Sequence, residues 1–528
     1  MTGTGHLIRV GLRADRIRLL IWALAIWLIT AGSVRSEAQV FDTPGAQAAR
    51  AELIASPAAT ALAGPGYGLG DYTLGAMVAN ELLGWVALPV ALMSAFLAVR
   101  QLRAAEESGS MELVRAAPVG RTAAVPAAMT VVLIADLVIG AGLVVVLVAA
   151  GLALPGAIAF GAGVAGVGLV FGAAGACAAQ LAARARTASA VAAALIGVGY
   201  LLRAVGDVQA RESGSVWSWL SPFGWAQATR AWVDERWWPL LLLPVAAVLL
   251  TAGAGLVAAR RDLGSALLPD RSGRATASPR LRGLAAVTLR RQGGTLLAWA
   301  LGSAALCALV GVLARQVLDF IAEEPDLARL LSGGATGSAT DPVFARYLVM
   351  ATCLAAAAGV SGVAALHTEE TSGRAGHVLA GPVGRTRWML AQVVVPFAGS
   401  ALVLVIGGLS MGLAAAGTLD DPGQIPHLTA ASLVTLPVVW ALTGLTALLI
   451  GWLPRLLIVG WAYLGYVALT GLLAGLLPED SDRLSVLRLV PALPGDTMDW
   501  APTLGLGAAA LVLCAAGVAG FRRRDLLA

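Results

Sequence analysis

The sequence contains no lysine; all 36 of its basic residues are arginine. That absence excludes a P-loop, whose glycine-rich turn needs a lysine to reach the β- and γ-phosphates. Charge of either sign is scarce, at 13% of residues where a soluble domain carries about 25%. Soluble domains of useful size are excluded, because every polar stretch is short. Cysteine is limited to Cys177, Cys307, Cys353 and Cys514, each inside an apolar run and none at metal-ligand spacing. They read as small buried hydrophobes, without disulfides. His367 and His377 stand near one another without a third ligand, and no Ser–His–Asp, HExxH or paired-carboxylate pattern is present. The net charge of +5 comes with no basic patch interleaved with exposed aromatics, so nucleic-acid binding is not expected.

What is present is apolar: 58% of residues, with a mean hydropathy of +0.81. A helix needs about 20 apolar residues to cross the hydrocarbon core. Twelve such runs occur, at 18–36, 74–99, 125–150, 155–182, 188–206 and 237–259, then 295–318, 343–366, 389–417, 426–452, 455–477 and 500–520. Arginines mark alternate loops: Arg9, Arg13, Arg16 and Arg18; Arg100, Arg103, Arg115 and Arg121; Arg184 and Arg186; the stretch 260–294; and Arg522, Arg523 and Arg524. If all twelve runs cross, these lie on one side, which the positive-inside rule makes the cytoplasm. The opposite loops of the second half lean acidic, through Asp319, Glu323, Glu324 and Asp326, then Asp420 and Asp421, then Glu479, Asp480 and Asp482.

The halves echo each other. "EESGSMELVRAAPVGRT" from Glu106 and "ETSGRAGHVLAGPVGRT" from Glu370 agree at 10 of 17 positions without a gap. "LRADRIRLLIWAL" at 12–24 has a counterpart in "LRRQGGTLLAWAL" at 289–301, deep in the chain, which argues against reading the first run as a signal peptide. "RRDL" stands at 260–263 and again at 523–526. Six spans per half give a parallel repeat about an axis along the membrane normal. The expected organisation is a first repeat at 1–262, a cytoplasmic linker at 263–288 and a second repeat at 289–528. Leu7, Val10, Ile17 and Ile21 roughly share a face away from Arg9, Arg13 and Arg16, which predicts a helix lying on the inner surface before it turns in. The segments before the last span of each half, 207–238 with its six tryptophans and 478–500 with Pro491, Pro494 and Trp500, predict short re-entrant or interfacial helices on the outer side.

Each copy of the repeated loop predicts about two turns of helix along the membrane. Ser108 or Ser110 would cap it, Glu112 would lie in its first turn, and Pro118 and Gly120 would end it. So short a helix needs something to dock into. This element, an acidic start, glycine, apolar helix and then "PVGR" after the second span, resembles the coupling-helix loop of ABC-2 type transporter permeases. The twelve-span whole resembles the fused polyketide-antibiotic (tetronasin-type) and multidrug exporter subunits.

The resemblance implies a permease with no ATPase site of its own and no cofactor in this chain. ATP and magnesium would sit on a partner: two copies of a separate ATPase, or two related ones. The implied coupling residues are Glu106, Glu107, Gly109, Glu112, Val114, Pro118, Gly120 and Arg121, with Glu370, Gly373, Val378, Pro382, Gly384 and Arg385 in the second copy, where Gly376 and Leu379 replace Glu112 and Arg115. It further implies a cargo cavity between halves with walls from the second and fifth spans of each. Those walls would hold Glu81, Trp85, Leu88, Leu92 and Tyr200, then Tyr347, Met350, Cys353, Trp461 and Tyr463. The implied activity is export of hydrophobic drugs or antibiotics across the bacterial cytoplasmic membrane, with both termini inside.

Asp136 falls near the middle of the third run, where a charge costs about 2.5–3.5 kcal/mol on insertion scales. Cargo recognition, proton movement and an internal hydrogen bond are all open readings for it and for Glu81. "GAGVAG" at 161–166 fits a dinucleotide motif, but its place in a span makes it a helix-packing face. "LSGGA" at 331–335, like an ATPase signature, lies in an outer loop without a P-loop. A proton-coupled carrier of the major facilitator type is the alternative, also six plus six. Its loop after the second span carries a Gly–Asp–Arg-rich motif that this chain lacks. A membrane-embedded enzyme would need a clustered polar site, and the ionisable residues here are scattered.

Overall fold

In a computed structural model the described residues are 3–315 and 341–526, apart from 56, 117, 121, 211–214, 263, 268–275, 277, 280, 282, 313, 473–479 and 495. Among them the regular structure is helical throughout, and twelve helices are long and apolar enough to cross a membrane. The physical reason is that lipid offers no hydrogen-bond partners, so the backbone must satisfy itself within each crossing segment. The chain divides into two compact units, Met1–Gly273 and Arg274–Ala528.

In the first unit the spans are α1 (Thr4–Val40), α4 (Leu74–Glu107), α6 (Ala124–Ala149), α7 (Leu154–Leu181), α8 (Ala185–Gln209) and α11 (Trp238–Arg260). Short helices α2 (Pro44–Ile54) and α3 (Pro57–Leu62) follow α1. Helix α5 (Ser110–Arg115) follows α4, and α9 (Val216–Trp219) and α10 (Pro222–Gln227) precede α11. The second unit has spans α12 (Leu284–Val312), α13 (Asp341–Thr371), α15 (Arg385–Leu419), α16 (Gln424–Trp452), α17 (Pro454–Leu472) and α18 (Trp500–Arg523). Helix α14 (Arg374–Leu379) follows α13. Neighbours correspond between the units: the first span packs on the third, the second and third on the fourth, and the fourth on the sixth.

Small residues make this packing close. A Cβ on Gly140 of α6 would stand 2.7 Å from the Gly161 carbonyl oxygen of α7, and one on Gly161 would stand 2.6 Å from Gly140 O. Both helices therefore need a glycine at the crossing. Lipid supplies no hydrophobic drive between helices, so contact of this kind is what holds them together. The "GAGVAG" stretch is thus occupied by packing.

Two expectations need correction. No separate surface helix precedes the first span: α1 is one uninterrupted helix of 37 residues, about 55 Å long where the hydrocarbon is about 30 Å. No proline lies in the basic stretch, and single Gly11 does not break the hydrogen-bond ladder. Asp15, 2% exposed on that stretch, is held by Arg100 of α4 at 2.6 Å. Among the described residues, the short helix before the last span is also not of the same kind in both units. In the first, α9 and α10 do form. In the second, the described residues of 480–499 hold only a 3-10 turn, Val486–Leu489, followed by Pro491 and Pro494, which cannot donate to a helix.

Candidate functional site

The repeated loop opens in the same way in both units. Gly109 and Gly373 occupy equivalent positions with φ of 73° and 74°, a left-handed turn that a side chain would strain. A six-residue helix follows each, α5 and α14. Met111 at 7% exposure seats α5, and Ala375 at 1% seats α14 with half-buried Leu379 packed on the same core. Each turns an apolar residue outward, Leu113 at 79% and Val378 at 39%. Glu112, Pro118 and Pro382 are exposed, as is Gly384, which leads into α15. Val114 lies in α5, Gly120 is half-buried, and Arg121 falls outside the described residues. The serines do not cap α5: Ser108 and Ser110 both donate to Ala105 O, at 3.2 and 2.9 Å, closing the helix before the turn. A groove of about 370 Å³ runs beside α5, lined by Leu7, Gly11, Gln101 and Met111 among others.

The glutamates at the head of each loop face inward. The Glu106 side chain is 8% exposed and meets Arg261, just past the end of α11, through two oxygens, one of them 3.0 Å from Nη1. Arg103 Nη1 donates to the same carboxylate at 2.9 Å. In the second unit the fully buried Glu370 accepts from Arg524 Nη2 at 2.6 Å, just past the end of α18. Arg261 and Arg524 are the second arginines of the two "RRDL" sequences.

Both guanidiniums also reach the end of the fourth span. Arg261 Nε donates to Gln180 Oε1 of α7 at 2.7 Å. Arg524 Nε donates to the Ile450 and Gly451 carbonyls of α16 at 3.2 and 3.1 Å. Each loop is therefore tied by one arginine to the fourth and sixth spans of its own unit.

The remaining ties differ. In the first unit the fully buried Arg103 donates to Ala179 O of α7 and to Ser265 O, and Glu107 accepts from the Ala185 amide that opens α8, at 2.7 Å. In the second unit Glu369, 5% exposed, pairs with Arg291 of α12 and with Arg374 of α14, whose Nη2 lies 2.7 Å away. That hydrogen bond holds the Arg374 guanidinium above its ordinary pKa. Arg385 donates from Nη1 to the Arg524 carbonyl at 2.8 Å.

The expected cavity residues separate into two groups. One lies on partly uncovered stripes of the buried second spans: Trp85, 39% exposed, with Leu88 and Leu92 on α4, and Tyr347, 39% exposed, with Met350 and Cys353 on α13. Trp461 is also uncovered, at 40%. The other group is engaged within its own unit. Glu81 is 7% exposed, with Arg50 Nε and Tyr72 Oη each donating to Oε1 at 3.1 Å. Burial opposes the charge on Arg50, yet Glu81 holds its pKa above the usual value. Burial, and then the Glu81 carboxylate, raise the Tyr72 hydroxyl. Asp136 is 1% exposed in the α4–α6–α7 core and accepts from Ser94 Oγ at 2.6 Å. Tyr200 meets Phe223 edge-on at 5.4 Å, with Arg203 over its ring. Tyr463 donates to Leu484 O at 2.8 Å.

Sequence reasoning passed over the arginines that do the tying, Arg103, Arg261 and Arg524, although the duplicated "RRDL" was a signal for two of them. It also passed over Arg203, which is fully buried in α8. Arg203 pairs with Asp207 at 3.3 Å and donates to Ala61 O at 2.7 Å, while Ser218 Oγ donates to Asp207 at 2.8 Å. Arginine four residues before aspartate in an apolar helix was the readable sign.

The described residues contain no cluster of three or more metal-ligating side chains. A family model described as "Multidrug efflux system permease Rv1217c, C-terminal domain" matches residues 281–522. The chain is 36% identical over 532 residues to the "Multidrug efflux system permease protein Rv1217c" of Mycobacterium tuberculosis, covering 99% of this chain and 95% of that protein. With twelve helices of spanning length and this likeness along its whole length, the chain is a multi-pass membrane protein and belongs to the multidrug efflux system permease family that Rv1217c represents, in keeping with its resemblance to the ABC-2 type permeases.

Proposed function

We propose that this chain is the membrane subunit of an ATP-driven exporter of hydrophobic drugs or antibiotics, energised by a separate ABC ATPase. The observation that carries the reading is the pair of short helices, α5 and α14. Each seats a buried residue, Met111 or Ala375, on its unit and turns an apolar side chain, Leu113 or Val378, away from it. An isolated two-turn helix is unstable in water, so such elements serve as contacts for something else. Two of them suit two ATPase subunits, identical or related, which bring ATP and magnesium. The relative's description as an efflux permease supports export as the direction and drugs as the cargo. The aromatic, aliphatic and sulfur-bearing stripes of α4 and α13 suit bulky apolar ligands. The arginine bias of alternate loops supports both termini lying in the cytoplasm of a bacterial cell.

Affinity purification of the chain from its native membrane should bring down an ABC ATPase. Efflux of a hydrophobic fluorescent dye from cells expressing both should stop on ATP depletion and persist with a proton uncoupler. The reverse pattern sinks the proposal in favour of a proton-driven carrier. Leu113→Asp with Val378→Asp should lower efflux at least tenfold with membrane insertion intact.

A further inference from the structure

We infer that Arg261 and Arg524 are positioning residues for coupling, each making the loop after the second span and the ends of the fourth and sixth spans of its unit move as one piece. The inference rests on the loops being where an ATPase pushes. A loop helix of six residues with so small a seat would otherwise slide along the unit when displaced. The guanidinium removes that freedom because its planar fork grips several partners at once, which a lysine ammonium does not reproduce. Arg261 holds Glu106 at the loop and Gln180 on α7, and sits at the end of α11. Arg524 holds Glu370 at the loop and two carbonyls of α16, and sits at the end of α18.

The two units reach this arrangement with different partners on the fourth span, a glutamine side chain in one and bare carbonyls in the other. What they share is the junction. The added ties assign the remaining helices unequally. Glu107 recruits α8 in the first unit, while Glu369 with Arg291 recruits α12 in the second. Asp15 of α1, held by Arg100 and Gln101 of α4, joins the first unit as well, so a push on the first loop carries the first, fourth, fifth and sixth spans of its unit. A push on the second carries the first, fourth and sixth.

The test compares two ways of keeping the ion pair while losing the junction. Arg261→Lys and Arg524→Lys retain a cation for the glutamate but give up the arms to the fourth span. The exchange Glu370→Arg with Arg524→Glu restores an opposite-charge pair but presents a carboxylate to the Ile450 and Gly451 carbonyls. The permease and the ATPase that co-purifies with it are reconstituted in liposomes, and dye moved per ATP hydrolysed is measured beside thermal stability. The lysine variants together should lower dye per ATP at least tenfold while ATP hydrolysis continues. The exchange should recover stability but leave transport low. If the lysine variants transport normally, or the exchange restores transport fully, the arginines serve the fold alone and the inference is overturned. If wild-type transport needs no ATP, the reading beneath it fails as well, and the two failures are told apart by the wild-type control.

Discussion

Removing the arginine from each junction should have unequal costs. In the second unit, Arg524→Met leaves Glu370 fully buried, and Oε1 of that carboxylate already lacks a hydrogen-bond partner among the described residues. Breaking a buried pair from one side costs about 3–5 kcal/mol. In the first unit, Arg261→Met leaves Glu106 still paired with Arg103, 2.9 Å from Oε2. Ser265 O also keeps Arg103, so no charge is stranded, and the uncompensated loss is the charged hydrogen bond to Gln180 Oε1, about 1.5–3 kcal/mol. The difference is about 2 kcal/mol. At about 2–4 °C per kcal/mol for a unit of this size, Arg524→Met should melt about 4–8 °C below Arg261→Met. The assay is the temperature at which detergent-solubilised protein leaves its monodisperse gel-filtration peak. Replacing both partners, Glu370→Met with Arg524→Met, should recover much of the loss, because no charge is left stranded. Equal melting of the two single variants, or no recovery in the double variant, would refute the assignment of these contacts.

Other outcomes follow from the same geometry. Gly161→Val places a Cβ 2.6 Å from Gly140 O, so α6 and α7 must part, and stability should fall by about 1–3 kcal/mol in the same melting assay. Asp136→Asn keeps the acceptor for Ser94 and the shape of the side chain, so dye efflux and melting should match wild type; a lost activity would return Asp136 to the cargo or proton path. Glu81→Gln leaves Arg50 without its carboxylate, and limited proteolysis should then cut the segment around α2 and α3 faster than in wild type. Gly109→Val with Gly373→Val strains both left-handed turns at about 1–3 kcal/mol each, and efflux should drop beyond what the fall in melting temperature accounts for.

The twelve spans were legible because crossing lipid imposes length and apolarity on each segment separately, so each could be read alone. The loop helices α5 and α14 were legible from duplication. What escaped was pairing across long separations. Nothing near Glu106 announces Arg261, 155 positions away, and nothing near Glu370 announces Arg524. The resemblance marks Glu106 and Glu370 as coupling residues, but their burial is created by the ends of other helices, which the residues around them do not show. Glu81 and Asp136 drew attention as charges in apolar runs, but their partners, Arg50 with Tyr72 and Ser94, come from elements whose placement only the folded unit supplies. The uninterrupted course of α1 was hidden because a basic amphipathic stretch has one pattern whether it lies along the membrane or continues a span.

The carbonyl of Ser265 accepts from both Arg103 and Arg261, so the strand of chain that leaves the last helix of the first unit folds back as its final brace. Severing the polypeptide to express it as two separate chains should succeed only downstream of that residue. A cut at 261 or 262 would remove the seam that finishes the first half, while one near 270 would leave both halves whole.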